Sequence, residues 1–327
     1  MENMKTKFAF GIAAWLFAFS LSAQMVPLTA GTPIPLPGTT GGYDFIQTDA
    51  AGNRLLLGHE GNHSFDVFDL ASHQLLKVVP TGTSQDAATD VKGHFYYVSG
   101  NDPGRMVIVD SRTLAVEGEV PLPAASDLIG FDAETGLVHI CNDTAAEQWV
   151  IDPAAKKMVA TITFDGKGME DMALDLKNRR LYQAVKGANT IGVVDLNSNQ
   201  IVAAWPLAPD KGPHGIALAP KLNRLLVACA ENLVMLDLAT GKVVATAPIG
   251  GRVDEMAYDA DKQMAYCASR QGKISVVSVA ADKLTSLGDV PDATKTGDIT
   301  VDPSTHTVWI AYQKNGQCFA QPFMPDR

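Results

Sequence analysis

An all-β fold is predicted by three observations on the 327-residue sequence. First, 28 Gly and 18 Pro are spread evenly along the chain, which favours many tight turns over a flexible linker. Second, short apolar runs of β-favouring residues follow one another between these turns. Third, the chain repeats with a period of about 42 residues, within the range of propeller blades. With 46% hydrophobic and 19% charged residues, the chain can bury a substantial core and is not disordered.

The elements follow in chain order. Residues 1–23 read as a secretory signal peptide: Lys5 and Lys7 precede a 14-residue apolar run from Phe8 to Leu21 that ends at Ala23. That run is shorter than the ~18 residues of a spanning helix, so the expectation is an exported, periplasmic or secreted protein without a membrane span. Residues 24–327 form the single folded domain.

One repeat marker is an Asp after an apolar strand, at Asp69, Asp110, Asp152, Asp195 and Asp237, at intervals of 41, 42, 43 and 42 residues. Ser278 continues the series, and a seventh position falls near Ala320. These Asp residues are read as structural, each accepting backbone N–H groups of the turn that follows. A second marker is proline at the end of an apolar segment: Pro35, Pro80, Pro121, Pro206, Pro248 and Pro291. Proline cannot donate to a ladder, so it belongs on the outer edge strand.

Each repeat therefore reads as four antiparallel strands, a to d from the axis outward. In the sixth repeat these are Glu255 to Asp259, Met264 to Ala268, Ile274 to Ser278 and Leu284 to Val290. Seven starts of strand a, near Asp44, Asp86, Asp127, Glu170, His214, Asp254 and Asp298, predict a seven-bladed β-propeller. The last repeat stops after strand c. The segment Thr32 to Gly38 resembles a strand d and is expected to complete blade seven, closing the ring without an exposed edge.

Three stretches carry a family likeness: Gly42-Tyr-Asp-Phe; Pro213-His-Gly-Ile-Ala-Leu with Asn223-Arg-Leu-Leu-Val-Ala-Cys229; and Val243-Val-Ala-Thr-Ala-Pro-Ile-Gly-Gly-Arg-Val-Asp254. On these the chain resembles the YVTN-type β-propellers, in particular the exported YncE-like branch, from Gln24 to Arg327. It departs from that family's strand b motif at Tyr97-Val-Ser-Gly100 and Leu226-Val-Ala-Cys229, where apolar residues still suit a strand. The resemblance implies an exported seven-bladed propeller and carries no catalytic set.

Function is expected where loops converge. In a propeller the d–a and b–c connections share one face, which brings together Asp44, Asp86, Asp127, Glu170, His214, Asp254 and Asp298 from the starts of strand a. The b–c turns add His59, Lys186 and Arg270, among others. So many carboxylates around a narrow channel repel unless solvated, protonated or neutralised. A divalent cation or cationic ligand is therefore expected there, with His214, Asp254 and Asp127 as its candidate ligands. The bland alternative is that these carboxylates cap strand a through backbone hydrogen bonds.

His59-Glu60-Gly61-Asn62-His63 matches the letters HExxH, but the motif needs a helix. Here it joins two strands, which leaves ordinary turn residues or a His pair at some metal or ligand site. The four cysteines, Cys141, Cys229, Cys267 and Cys318, lack CxxC spacing and read as buried free thiols, with a Cys229–Cys267 disulfide as the alternative.

A net charge of −10 argues against duplex nucleic acid as partner. No GxSxG, Walker or dinucleotide motif is present. The expectation is a monomeric binding propeller without turnover, whose partner is a small molecule, a cation or a periplasmic protein. A metal-dependent lactonase or esterase is the runner-up, and a tetrapyrrole-binding propeller the third reading.

Overall fold

The computed structural model describes residues 27–142, 144–292 and 294–325. The expected signal peptide lies outside the described residues. Seven antiparallel sheets form the blades, and six of them run a-b-c-d in chain order. Blade 1 consists of Ile46–Asp49, Arg54–His59, Ser64–Asp69 and Gln74–Val79, and blade 6 of Val253–Asp259, Met264–Ser269, Lys273–Ala280 and Lys283–Pro291. Blade 7 contributes Ile299–Val301, Val308–Lys314 and Gln317–Pro325.

The N-terminal segment completes blade 7 as expected. Leu28–Ala30 pairs with Phe323 to Pro325, and Ile34–Leu36 pairs with Cys318 to Ala320 on the same strand. Backbone donors and acceptors on the outer side of strand c are thereby satisfied from the far end of the chain.

Strands b and c are buried along both faces, as in Leu55 to His59, because each blade is flanked by two others. Seven clusters of buried apolar residues fill the spaces between successive blades. Leu56, Phe65 and Val67 meet Tyr96, Val98 and Val107 between blades 1 and 2, and Leu36, Leu57 and Phe68 meet Trp309 and Ala320 between blades 7 and 1. Each such side chain is worth about 1.5–3 kcal/mol of burial, so no blade is stable without its neighbours. The four cysteines are buried free thiols within this packing.

The Asp markers sit where a turn needs them. Asp69 accepts the N–H of Ser72, Asp195 those of Asn197 and Ser198, and Asp237 those of Ala239 and Thr240. Ser278 departs from the series: strand c of blade 6 runs on to Ala280, and the pair Ala281-Asp282 turns the chain. The a–b turns repeat the same device, which the spacing of strands alone did not reveal. Asp49, Asp90, Asp132, Asp175, Asp259 and Asp302 each accept a backbone N–H two or three residues on.

Strand a comes in two forms. In blades 2, 4 and 6 it has 7 residues and carries a bulge, between Ser84 and Ala87, Met169 and Met172, and Val253 and Met256. In blades 1, 3, 5 and 7 it is short and begins at Ile46, Ile129, Ile216 and Ile299. A bulge re-aims the side chains at its site, and this alternation decides what lines the channel.

Candidate functional site

Counting back five residues from the a–b turn residues Asp49, Asp90, Asp132, Asp175, Ala219, Asp259 and Asp302 reaches Asp44, Gln85, Asp127, Glu170, His214, Asp254 and Gly297. These are the equivalent positions at the start of strand a. Asp44, Asp127, Glu170, His214 and Asp254 thus occupy one ring, as expected from the repeat. Asp86 and Asp298 stand one residue further along, with Gln85 and Gly297 in the ring positions of blades 2 and 7. The constant offset from the turn Asp was the signal that identifies Gln85.

In blades 2, 4 and 6 the residue one step further along binds backbone of another blade. Asp86 accepts the N–H of Ala87 at 2.7 Å, the N–H of Ile129 in blade 3 at 3.2 Å and the Gln47 side-chain amide at 2.8 Å. Asp171 likewise accepts the N–H of Ile216 in blade 5 at 2.9 Å. Glu255 reaches Ile299 of blade 7 at 2.7 Å and Ile46 of blade 1 at 3.4 Å.

A bulged blade hands its carboxylate to the short strand that follows. Seven being odd, the short strands of blades 7 and 1 adjoin, and one longer side chain, Glu255, serves both. Burial pushes Asp86 up to about 7 and Asp171 and Asp298 up to about 8. Glu255 is raised by burial and then by Asp298.

The ring itself is a network of ion pairs. Asp44 is raised well above the usual carboxylate range by burial and then by Asp127, Asp298 and Asp254. Lys186 donates to Glu170 Oε1 at 2.8 Å and to His214 Nε2 at 2.8 Å. Nε2 is therefore an acceptor, and the His214 proton sits on Nδ1.

That Nδ1 lies 3.1 Å from Glu170 Oε2 and 3.7 Å from Asp254 Oδ1, without regular hydrogen-bond geometry to either. Burial holds His214 below its ordinary value, a shift that Glu170 opposes and Lys186 reinforces. The Arg270 guanidinium pairs with Asp254, and the Thr296 hydroxyl donates to Asp298 at 2.8 Å. Among the described residues no three His, Cys, Asp or Glu side chains form a metal-binding group. Positive charge at the ring is instead carried by Lys186 and Arg270.

Beside this network an open groove of about 470 Å³ is lined by Lys186, His214, Glu231, Arg252, Asp254 and Arg270. A hollow of about 490 Å³ against Tyr182, Val202 and Trp205 is slightly larger. Its lining includes Arg180 and Tyr182 but no carboxylate or imidazole, whereas the ring-side groove holds an imidazole N–H without a regular partner.

His59 is elsewhere. It is fully buried between blades 1 and 7, with Nδ1 at 2.7 Å from Asp66 and its ring stacked on Tyr43 at 4.0 Å. Burial alone would lower it, but the Asp66 carboxylate raises it to about 9. Glu60 to Asn62 form a single 3-10 turn, and His63, in the left-handed region, contacts Thr83 at 3.0 Å. The two histidines do not share a site, so the HExxH letters carry no protease geometry.

No protein-family model and no curated protein matches the chain. Solved structures do. Kuenenia stuttgartiensis hydrazine synthase is similar at a TM-score of 0.76 and 14% identity, over 87% of this chain and 98% of that one. A chain of the mitotic checkpoint complex is similar at 0.77 and 14%, over 97% and 98%, and the RRP9 WD40 repeats at 0.74 and 11%, over 90% and 99%. The molecule is a seven-bladed β-propeller. At such identities the likeness extends to fold alone.

Proposed function

We propose that this chain is an exported, periplasmic binding propeller of the YncE-like type, without turnover of its own, which takes a cation or a ligand bearing a cationic group at the ring of strand a starts. The observation that carries this reading is the charge balance of the ring. Glu170 and Asp254 are paired with Lys186 and Arg270, while Asp44, which Asp127, Asp298 and Asp254 push upward, gains from a positive charge brought to the ring. Lys186 and Arg270 lie on flexible stems and mark where an incoming cation gains most. Among the described residues that line the groove there is no Ser, Thr or Cys nucleophile beside a base, which favours binding over hydrolysis.

The test is calorimetric titration of the purified protein with Ca²⁺, Mg²⁺, Mn²⁺, Zn²⁺ and small amines, alongside a turnover screen on lactones and phosphate esters. Binding that is lost in both His214→Ala and Asp254→Ala is expected. Metal-dependent turnover abolished by Asp254→Ala would establish the lactonase or esterase reading instead. A Soret band in protein from its native source would establish the tetrapyrrole reading. Binding untouched by both substitutions moves the site to another surface.

A further inference from the structure

The seam where the ring closes holds a second group of donors that the reading above does not use. His59 ends strand b of blade 1, Cys318 lies in strand c of blade 7, and Gly41 belongs to the segment that joins the closing strand to blade 1. The Cys318 sulfur is 3.4 Å from the Gly41 carbonyl oxygen and 3.7 Å from His59 Nε2, and that nitrogen is 3.3 Å from the same oxygen. A point roughly 2.0 Å from all three atoms exists within this triangle, close to the 2.0–2.3 Å of zinc bonds to nitrogen, oxygen and sulfur.

The other side of the imidazole is equally specific. Asp66 accepts the Ser64 hydroxyl at 2.7 Å through one oxygen and faces His59 Nδ1 at 2.7 Å through the other. A carboxylate on Nδ1 orients the ring and strengthens Nε2 as a ligand, the outer-shell arrangement of metal-ligating histidines. Nε2 and the Cys318 thiol both face the Gly41 oxygen, and an ion among the three atoms takes the place of their protons.

Tyr43 adds an independent sign. It is 7% exposed, its ring stacks on His59, and its buried hydroxyl has no regular hydrogen-bond partner, with Cys318 and Thr39 the side chains against it. The backbone is built to hold Gly41 in place. A Cβ on Gly41, at φ +97, would come within 2.5 Å of Gly61, whose N–H donates to Gly42 oxygen at 2.9 Å. The glycine of the HExxH-like stretch thus serves the seam.

From this geometry we infer that His59, Cys318 and the Gly41 carbonyl, with Tyr43 at the fourth position and Asp66 behind the histidine, form a closed binding site for a zinc or copper(I) ion that staples the ring seam. A thiolate with an imidazole selects such ions over calcium or magnesium. Binding replaces the Cys318 thiol proton and the His59 Nε2 proton by the metal and releases both to solvent. It joins the start of blade 1 to strand c of blade 7, so it stabilises the closed ring by an amount that grows with the logarithm of ion concentration.

The test uses the full chain, unfolded, reduced and refolded with or without Zn²⁺, Cu⁺ or Co²⁺ as a spectroscopic probe. Expected are one ion per chain by mass spectrometry and a sulfur-to-cobalt charge-transfer band. The band should persist in Asp254→Ala, vanish in Cys318→Ser and His59→Gln, and need about 10–100-fold more cobalt in Asp66→Asn. A wild-type chain that refolds with no such band, or a band that survives Cys318→Ser, overturns the site. The wild-type band and stoichiometry decide the matter even where a variant fails to fold.

Discussion

Single side chains in this molecule act through the neighbours that the ring brings to them. Gly241 closes the c–d turn of blade 5 at φ +68, and a Cβ there would lie 2.3 Å from the Trp205 indole of blade 4. Gly241→Ala is expected to cost about 1–3 kcal/mol through both the strained φ and the overlap, read as a lower urea midpoint with unchanged slope. The buried carboxylates set a pH dependence. Asp86, at about 7, and Asp171 and Asp298, at about 8, sit above their ordinary value of 3.8, so the stability they contribute is full below that value and lost as pH rises toward 8. His139, lowered to about 4 by burial, acts in the opposite sense between pH 6.5 and 4. Three carboxylates outweigh it, so the melting temperature should fall between pH 5 and pH 8.5. A flat or rising profile by calorimetry would mean that these acids are ionised in the folded state throughout.

At the scale of elements, the repeated unit is a strand pair ended by an Asp-capped turn. Asp237 holds the N–H groups of Ala239 and Thr240, the Thr240 hydroxyl at 2.9 Å and the Arg224 guanidinium at 2.7 Å. Asp237→Ala should destabilise the protein by about 1–2 kcal/mol, whereas Ser278→Ala, at the matching count in blade 6, should change little because strand c continues through it. Chemical denaturation of the two variants side by side measures the contrast. Equal losses would mean that the turn bonds are not what the Asp residues supply. The bulge of strand a is the second element-scale device. It places the carboxylates of Asp86, Asp171 and Glu255 against N–H groups of the following blades, whereas Asp298, in the unbulged blade 7, accepts the Thr296 hydroxyl.

For the whole molecule, closure is the decisive contact. Leu28–Ala30 and Ile34–Leu36 supply the outer strand of blade 7, and Leu36 enters the cluster between blades 7 and 1. A chain beginning at residue 39 should melt at least 10 °C lower and self-associate through the bared strand Gln317–Pro325, as seen by calorimetry and light scattering. An unchanged melting temperature would show that the seam is held by the blade 7 to blade 1 core alone.

The period of about 42 residues, the turn Asp residues, the edge prolines and the missing last strand d were enough to determine seven blades and their closure, because each is a local backbone requirement repeated along the chain. The ring of Asp44, Asp127, Glu170, His214 and Asp254 was legible for the same reason, since equivalent positions of a repeat must share a radius. Only the tertiary structure decided the rest. Whether a carboxylate faces the channel mouth or a neighbouring backbone depends on a one-residue bulge, which no spacing between turns discloses. That His59, Asp66, Gly41, Tyr43 and Cys318 stand within one another's reach depends on the two ends of the chain meeting. Residues more than 250 positions apart become neighbours only when the ring closes, and local sequence carries no record of that distance.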